Sequence, residues 1–189
     1  MSFFQFISLP NKIKSFRLSE IEGREEEFGL AYETYKHINN FLSTRNIALS
    51  KEIDIVLSGN TQKETFNECF KNPFIYGFYV VMPWVYDVEK TEICSKGLEE
   101  DVERAEIEKI WDKERSLNNQ ILYHFLYKNL YVGNFVEIYV SWQDNENCVF
   151  ETPTMEYSMD LKDLLRGSRP DDGKLEVEER KKLTIYRNT

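Results

Sequence analysis

"FVEIYVSWQDNENCVFETPTMEYSM", residues 135–159, decides the class of fold. Val136, Ile138, Val140 and Trp142 alternate with Glu137 and Ser141, the period of a strand with one face on a core. The alternation points the first four inward and Glu137 and Ser141 outward. Turn-forming residues follow over 143–147, and 148–159 reads as a return strand, so the stretch predicts a β-hairpin and with it an antiparallel sheet. Pro153 places the return strand at a sheet edge or on a bulge, because proline donates nothing to a ladder.

Outward from this hairpin the chain reads as strands interrupted by two long helical segments. On the N-terminal side, Leu98 or Ala105 to Leu130 carries Ile107, Ile110, Trp111, Leu117, Ile121, Leu122 and Phe125 on one helical face, and Gly133 lies just past its end. Leu98, Val102 and Ala105 fall on nearly the opposite side, so the helix either changes its buried face or breaks near Ala105. A second helix is predicted from Glu20 or Arg24 to Thr44. Ser19 and Glu22 stand in capping-box spacing, and Phe28, Ala31, Tyr32, Tyr35, Ile38 and Leu42 form its stripe. Strands are predicted over 3–9, 53–57 and 74–82, the last apolar on both faces and ended by Pro83. Short helices are predicted over 61–72 and, capped by Asp160, over 160–166. "SRPDDGK" reads as a loop, with 167–182 a loop or mobile segment, and "KLTIYRN" as a last strand. The expected fold is α+β: a single domain over 1–189, a mostly antiparallel sheet with two long helices packed on one side.

Bulk properties narrow the function. With 41% hydrophobic and 30% charged residues, the 189-residue chain is globular and long enough for one sizeable core. A net charge of −9 argues against nucleic-acid binding, which uses Lys and Arg to displace phosphate counterions. The N-terminal stretch has its aromatics before its lysines, the wrong order for a signal peptide, and no run spans a bilayer. Cys69, Cys94 and Cys148 are widely spaced and odd in number, which suits reduced, mostly buried thiols in a cytoplasmic protein. No C-x-x-C or H-x-x-x-H pair occurs, so no zinc site is expected. The residues three before His37 and His124 are Thr34 and Ile121, so no Glu-x-x-His carboxylate-bridged centre is expected either. Neither metal nor cofactor is called for. The eight glycines show no Walker or dinucleotide spacing, "GNT" at 59–61 is too common a helix start to signify, and "DNENC" lacks the later residues of a calcium loop.

The densest charge lies over 98–115, and most of its acids have basic neighbours one turn away, the pattern of a solvated helix face. Glu114 is the exception. Helical geometry aims it between Ile110, Trp111, Leu117 and Ile121, where a carboxylate must be paired, hydrogen-bonded or protonated. It is the leading candidate for a catalytic or ligand-binding acid, with His124, set among Tyr123, Phe125 and Tyr127, as a weaker one. His37 and Glu33, one turn apart, read as an exposed pair on the face opposite the aromatic stripe. Aromatic residues make up 14% of the chain, and those in or near strands, Tyr79, Trp84, Tyr86, Tyr139, Trp142 and Tyr157, offer an outward patch suited to binding a protein.

Three functional classes follow. The first is a non-enzymatic protein-binding module, for example an inhibitor or immunity-like protein that captures a basic partner. It resembles small bacterial toxin-neutralising proteins in composition only, and no motif carries that likeness. The second is a small enzyme or ligand-binding domain with a carboxylate site near Glu114. The third is a structural homodimer.

Overall fold

The computed structural model describes residues 2–48, 53–59, 69–81, 87–143, 153–166 and 181–189. Seven strands, β1 (Ser2–Leu9), β2 (Phe16–Arg17), β3 (Asp54–Gly59), β4 (Phe74–Val81), β5 (Phe135–Gln143), β6 (Met155–Asp160) and β7 (Lys181–Tyr186), form one sheet in the order β2-β3-β4-β1-β5-β7-β6. Every pairing is antiparallel except β6 with β7. Four α-helices are described: α1 (Glu25–Phe28), α2 (Leu30–Ser43), α3 (Asp87–Ser95) and α4 (Glu100–Asn129). The chain is α+β, as the alternating stretch and the helical periodicity predict. No helix among the described residues is long and apolar enough to cross a membrane.

The expected β5–β6 hairpin does not form. β7 lies between the two strands, antiparallel to β5 and parallel to β6. β7 carries Leu183 and Ile185, both fully or almost fully buried, whereas β6 is largely exposed. The more apolar strand takes the inner position, and β6, preceded by Pro153, becomes the edge. Lys181 and Lys182, expected within the loop or mobile segment over 167–182, belong to β7; 167–180 lie outside the described residues. So do the turn and start of the return strand over 144–152, Pro83, and residues 61–68 of the helix expected over 61–72, whose described end, 69–72, is turn and bend instead of helix.

One sheet face and the two long helices enclose the main core. Ile7 and Leu9 of β1, Ile55 and Leu57 of β3, Val136 and Ile138 of β5, and Leu183 and Ile185 of β7 meet Ile38 and Leu42 of α2 and Leu117, Ile121 and Phe125 of α4. Phe125 sits between Phe16 and Phe78, with ring centroids 6.3 and 4.9 Å away. Burying a ring of this kind contributes about 1.5–3 kcal/mol. Between the helices Asn129 donates to Thr34 Oγ1 at 3.1 Å.

The helices depart from their predicted outlines for local reasons. Gly29, at φ +45°, separates α1 from α2, so the segment expected to be one helix is two. Ser19 does not close a capping box: its backbone N–H and hydroxyl both donate to Asp54 on β3. Helix α3 has no counterpart among the predicted elements; Gly97, at φ +61°, turns the chain from it into α4. Helix α4 does not break near Ala105, and no residue from Glu100 to Lys109 is buried. Trp111 lies outside the buried stripe, 45% exposed. At the far end, the Arg187 guanidinium donates to the carbonyls of Tyr127 and Leu130 and covers the Tyr127 ring at 4.4 Å. A cation there complements the helix dipole.

Candidate functional site

Of the six rings in the predicted patch, the side chains of Tyr79, Tyr139 and Tyr157 are described. Tyr139 is fully buried, so it is not surface. It belongs to a second, smaller core of Phe6, Cys69, Phe70 and Ile75 on the sheet face away from the helices. Tyr79 is half-buried, and Tyr157 packs against the main core on the helix side. Trp84 and Tyr86 lie outside the described residues, and for Trp142 only the backbone is described, paired with Phe3. Of the cysteines, Cys69 is buried and Cys94 exposed.

Glu114 has found a partner. Its carboxylate accepts from Lys90 of α3 at 2.7 Å, and both side chains are about a quarter exposed (23% and 27%). This bond ties α3 to α4, as does the neighbouring Lys113–Glu89 pair at 2.8 Å. Partly exposed pairs of this kind contribute little, so Glu114→Gln is expected to cost about 1 kcal/mol or less in urea unfolding. A loss several times larger would mean that Glu114 holds more than this one contact.

The second sheet face carries a polar cluster that alternation alone conceals. Glu137 falls on the face opposite the main core, as its spacing predicts, yet it is fully buried instead of outward-facing, because residues 69–72 fold over it. Its Oε2 accepts from the Ser8 hydroxyl at 3.0 Å and from the backbone N–H groups of Lys71 and Asn72 at 2.7 and 3.1 Å. Lys182, also buried, stands 3.5 Å from Oε1 and reaches Glu156 at 2.8 Å and the Cys69 carbonyl at 3.3 Å. Asn72 donates to the Ser8 and Phe135 carbonyls. Ser8 and Glu137 are cross-strand partners, and Lys182 faces them from β7. Every contact holds chain to chain, which identifies a structural clamp for the 69–72 segment.

The groove between α2 and α4 is more open. His37 and Glu33 do not form the expected exposed pair: Glu33 bonds Lys36 instead, and His37 Nε2 lies 2.9 Å from His124 Nδ1. One ring donates and the other accepts, so at least one is neutral. Burial and then Lys128 push the His37 pKa down. Burial, then His37 and Arg45, push that of His124 down to about 4. Phe41 packs on His124 at 4.1 Å and Tyr127 stacks on His37 at 6.0 Å. Among the described residues no group of three or more His, Cys, Asp or Glu is arranged to hold a metal ion.

One turn further along the same groove is a cleft of about 550 Å³, floored by Ile47 and Leu117. Arg45 enters from the end of α2, and Lys109, Lys113, Ser116 and Gln120 from one face of α4. The Arg45 guanidinium covers Phe41 at 4.3 Å and donates to Gln120 Oε1, whose amide nitrogen donates in turn to Ser116 Oγ. Periodicity could have shown the α4 row, because residues 109, 113, 116 and 120 share a face; that Arg45 meets it depends on helix packing. No family model matches this chain, and neither does any curated protein or solved structure.

Proposed function

We propose that the protein is a non-enzymatic binding module that captures a basic partner protein on the outer face of α4, in the cytoplasm. One observation carries this reading: the first ten residues of α4 form a helix in which nothing is buried. A helix of that length draws its stability mainly from packing, and a polar one left uncovered is suited to covering by another molecule. Its outward side carries Asp101 and Glu108, two turns apart, neither with an ion-pair partner among the described residues. Trp111, one turn beyond Glu108, stands exposed. Trp111 supplies an anchor, and Glu108 and Asp101, one and about three turns before it, supply a complement for a cationic surface. The net charge of −9 would hasten encounter with such a partner.

The test is native mass spectrometry on protein gently purified from its own cytoplasm, followed by affinity measurement on the purified pair. A complex with a basic protein is expected, weakened about tenfold or more by Asp101→Lys with Glu108→Lys, and again by Trp111→Ala. These side chains are exposed, so thermal unfolding of the variants should stay close to that of the parent. A complex indifferent to all three substitutions, or a homodimer in place of a heteromer, would overturn the reading.

A further inference from the structure

Hydrogen-bond donors predominate in the polar lining of the α2–α4 cleft. Arg45, Lys109 and Lys113 are donors without acceptor capacity. Lys113 is engaged with Glu89, while Lys109 meets Glu106 and Arg45 meets Gln120 with only part of their donors, since an ammonium has three N–H groups and a guanidinium five. Gln120 turns its oxygen to Arg45 and its amide nitrogen to Ser116. Because Ser116 Oγ accepts that bond, its own hydrogen remains to be donated. The one carboxylate in the lining, Asp112, is bonded by Arg115. A cleft that offers hydrogens from Arg45, Lys109 and Ser116 suits a ligand that only accepts.

We propose that this cleft binds the phosphate group of a small soluble phosphorylated molecule. Phosphate fits better than a single carboxylate because it spreads about two charges over three terminal oxygens, enough to meet Arg45, a lysine and Ser116 together. The volume, about 550 Å³, lies within the range of about 300–1,000 Å³ typical of small-molecule sites and leaves room beyond the anion. Ile47 and Leu117 give that remainder an apolar floor. Arg45 is held in advance by Phe41 and Gln120, so little ordering is left for binding. Glu106 balances Lys109, Glu89 balances Lys113 and Arg115 balances Asp112, which leaves Arg45 as the cation of this cleft without an ion pair among the described residues. The site is separate from the acidic outer face of α4 and does not depend on that face binding anything.

Isothermal titration of the intact protein with inorganic pyrophosphate tests the proposal. Saturable 1:1 binding is expected, weakened about tenfold or more in Arg45→Met and in Lys109→Met, and several-fold in Ser116→Ala. Thermal unfolding of each variant shows whether its fold is intact. The bound anion should also raise the imidazole pKa of His124, one turn from Gln120, read by NMR. Heat that does not saturate, or affinity that all three substitutions leave unchanged, would mean an adventitious ion only and would overturn the proposal. A lipid headgroup carries the same phosphate chemistry. Sedimentation with phosphatidylcholine vesicles containing a phosphoinositide, without any binding of pyrophosphate, would overturn the soluble source.

Discussion

Replacing Glu137 with alanine is expected to destabilise the fold by about 3–5 kcal/mol, which for a chain of this size lowers the melting temperature by roughly 10 °C. The Glu137 carboxylate is fully buried and accepts from Ser8, Lys71 and Asn72. Removing it strands two backbone N–H groups and a hydroxyl, each costing about 1–3 kcal/mol when left unpaired out of water. Lys182 would keep Glu156 as its counter-charge, so the loss comes mainly from the orphaned donors. Lys182→Met should accordingly cost less than Glu137→Ala: Oε1 loses a cation 3.5 Å away, but all three hydrogen bonds to Oε2 persist. Urea unfolding of the two variants checks the order. A Glu137→Ala protein within about 1 kcal/mol of the parent would show that the 69–72 segment does not depend on this carboxylate.

The same residue shows where the sequence ceases to be legible. Alternation from Val136 to Trp142 correctly separates Glu137 from the main core, because a strand's period fixes which face a side chain takes. It cannot say whether that face is covered, and here residues from a distant turn cover it. The β5–β6 hairpin fails for a related reason. Turn chemistry at 143–147 is local, whereas the insertion of β7 between the two strands depends on which strand best fills the sheet's interior. The two long helices are legible because their stripes bury Ile38, Leu42, Leu117, Ile121 and Phe125. Trp111 and Glu114 show the limit of that reading. Periodicity runs the stripe through Trp111, but the burial begins at Ile110, and Glu114 turns to a lysine on α3, a helix that periodicity does not reveal. The candidate cleft is half visible, as a row on α4. Its other half, Arg45, arrives only through the packing of α2 against α4, as does the meeting of His37 with His124.

That meeting makes stability depend on pH in a window set by His124. Its pKa in the folded protein is pushed down to about 4, against about 6.5 for an unperturbed histidine in the unfolded chain. Between these values the unfolded chain holds a proton that the folded one refuses, so stability falls as pH is lowered through the window. Below about 4 both states are protonated, and this residue adds no further loss. His37, shifted the same way, contributes with the same sign. The groups facing the pair reinforce the effect. Arg45 and Phe41 approach from α2, and Tyr123, Tyr127 and Lys128 from α4, while Glu33 is occupied by Lys36. No carboxylate among them hydrogen-bonds either ring to hold an imidazolium. Discounted for partial exposure, the expected loss from pH 7 to the bottom of the window is about 1–2 kcal/mol. His124→Gln, which can hydrogen-bond to His37 but does not titrate, should unfold with a visibly flatter pH dependence between about 7 and 5, above the range where most carboxylates take up protons. A His124 imidazole that titrates by NMR at about 6.5 or above, or a His124→Gln variant with an unchanged slope, would place the pH dependence elsewhere in the protein.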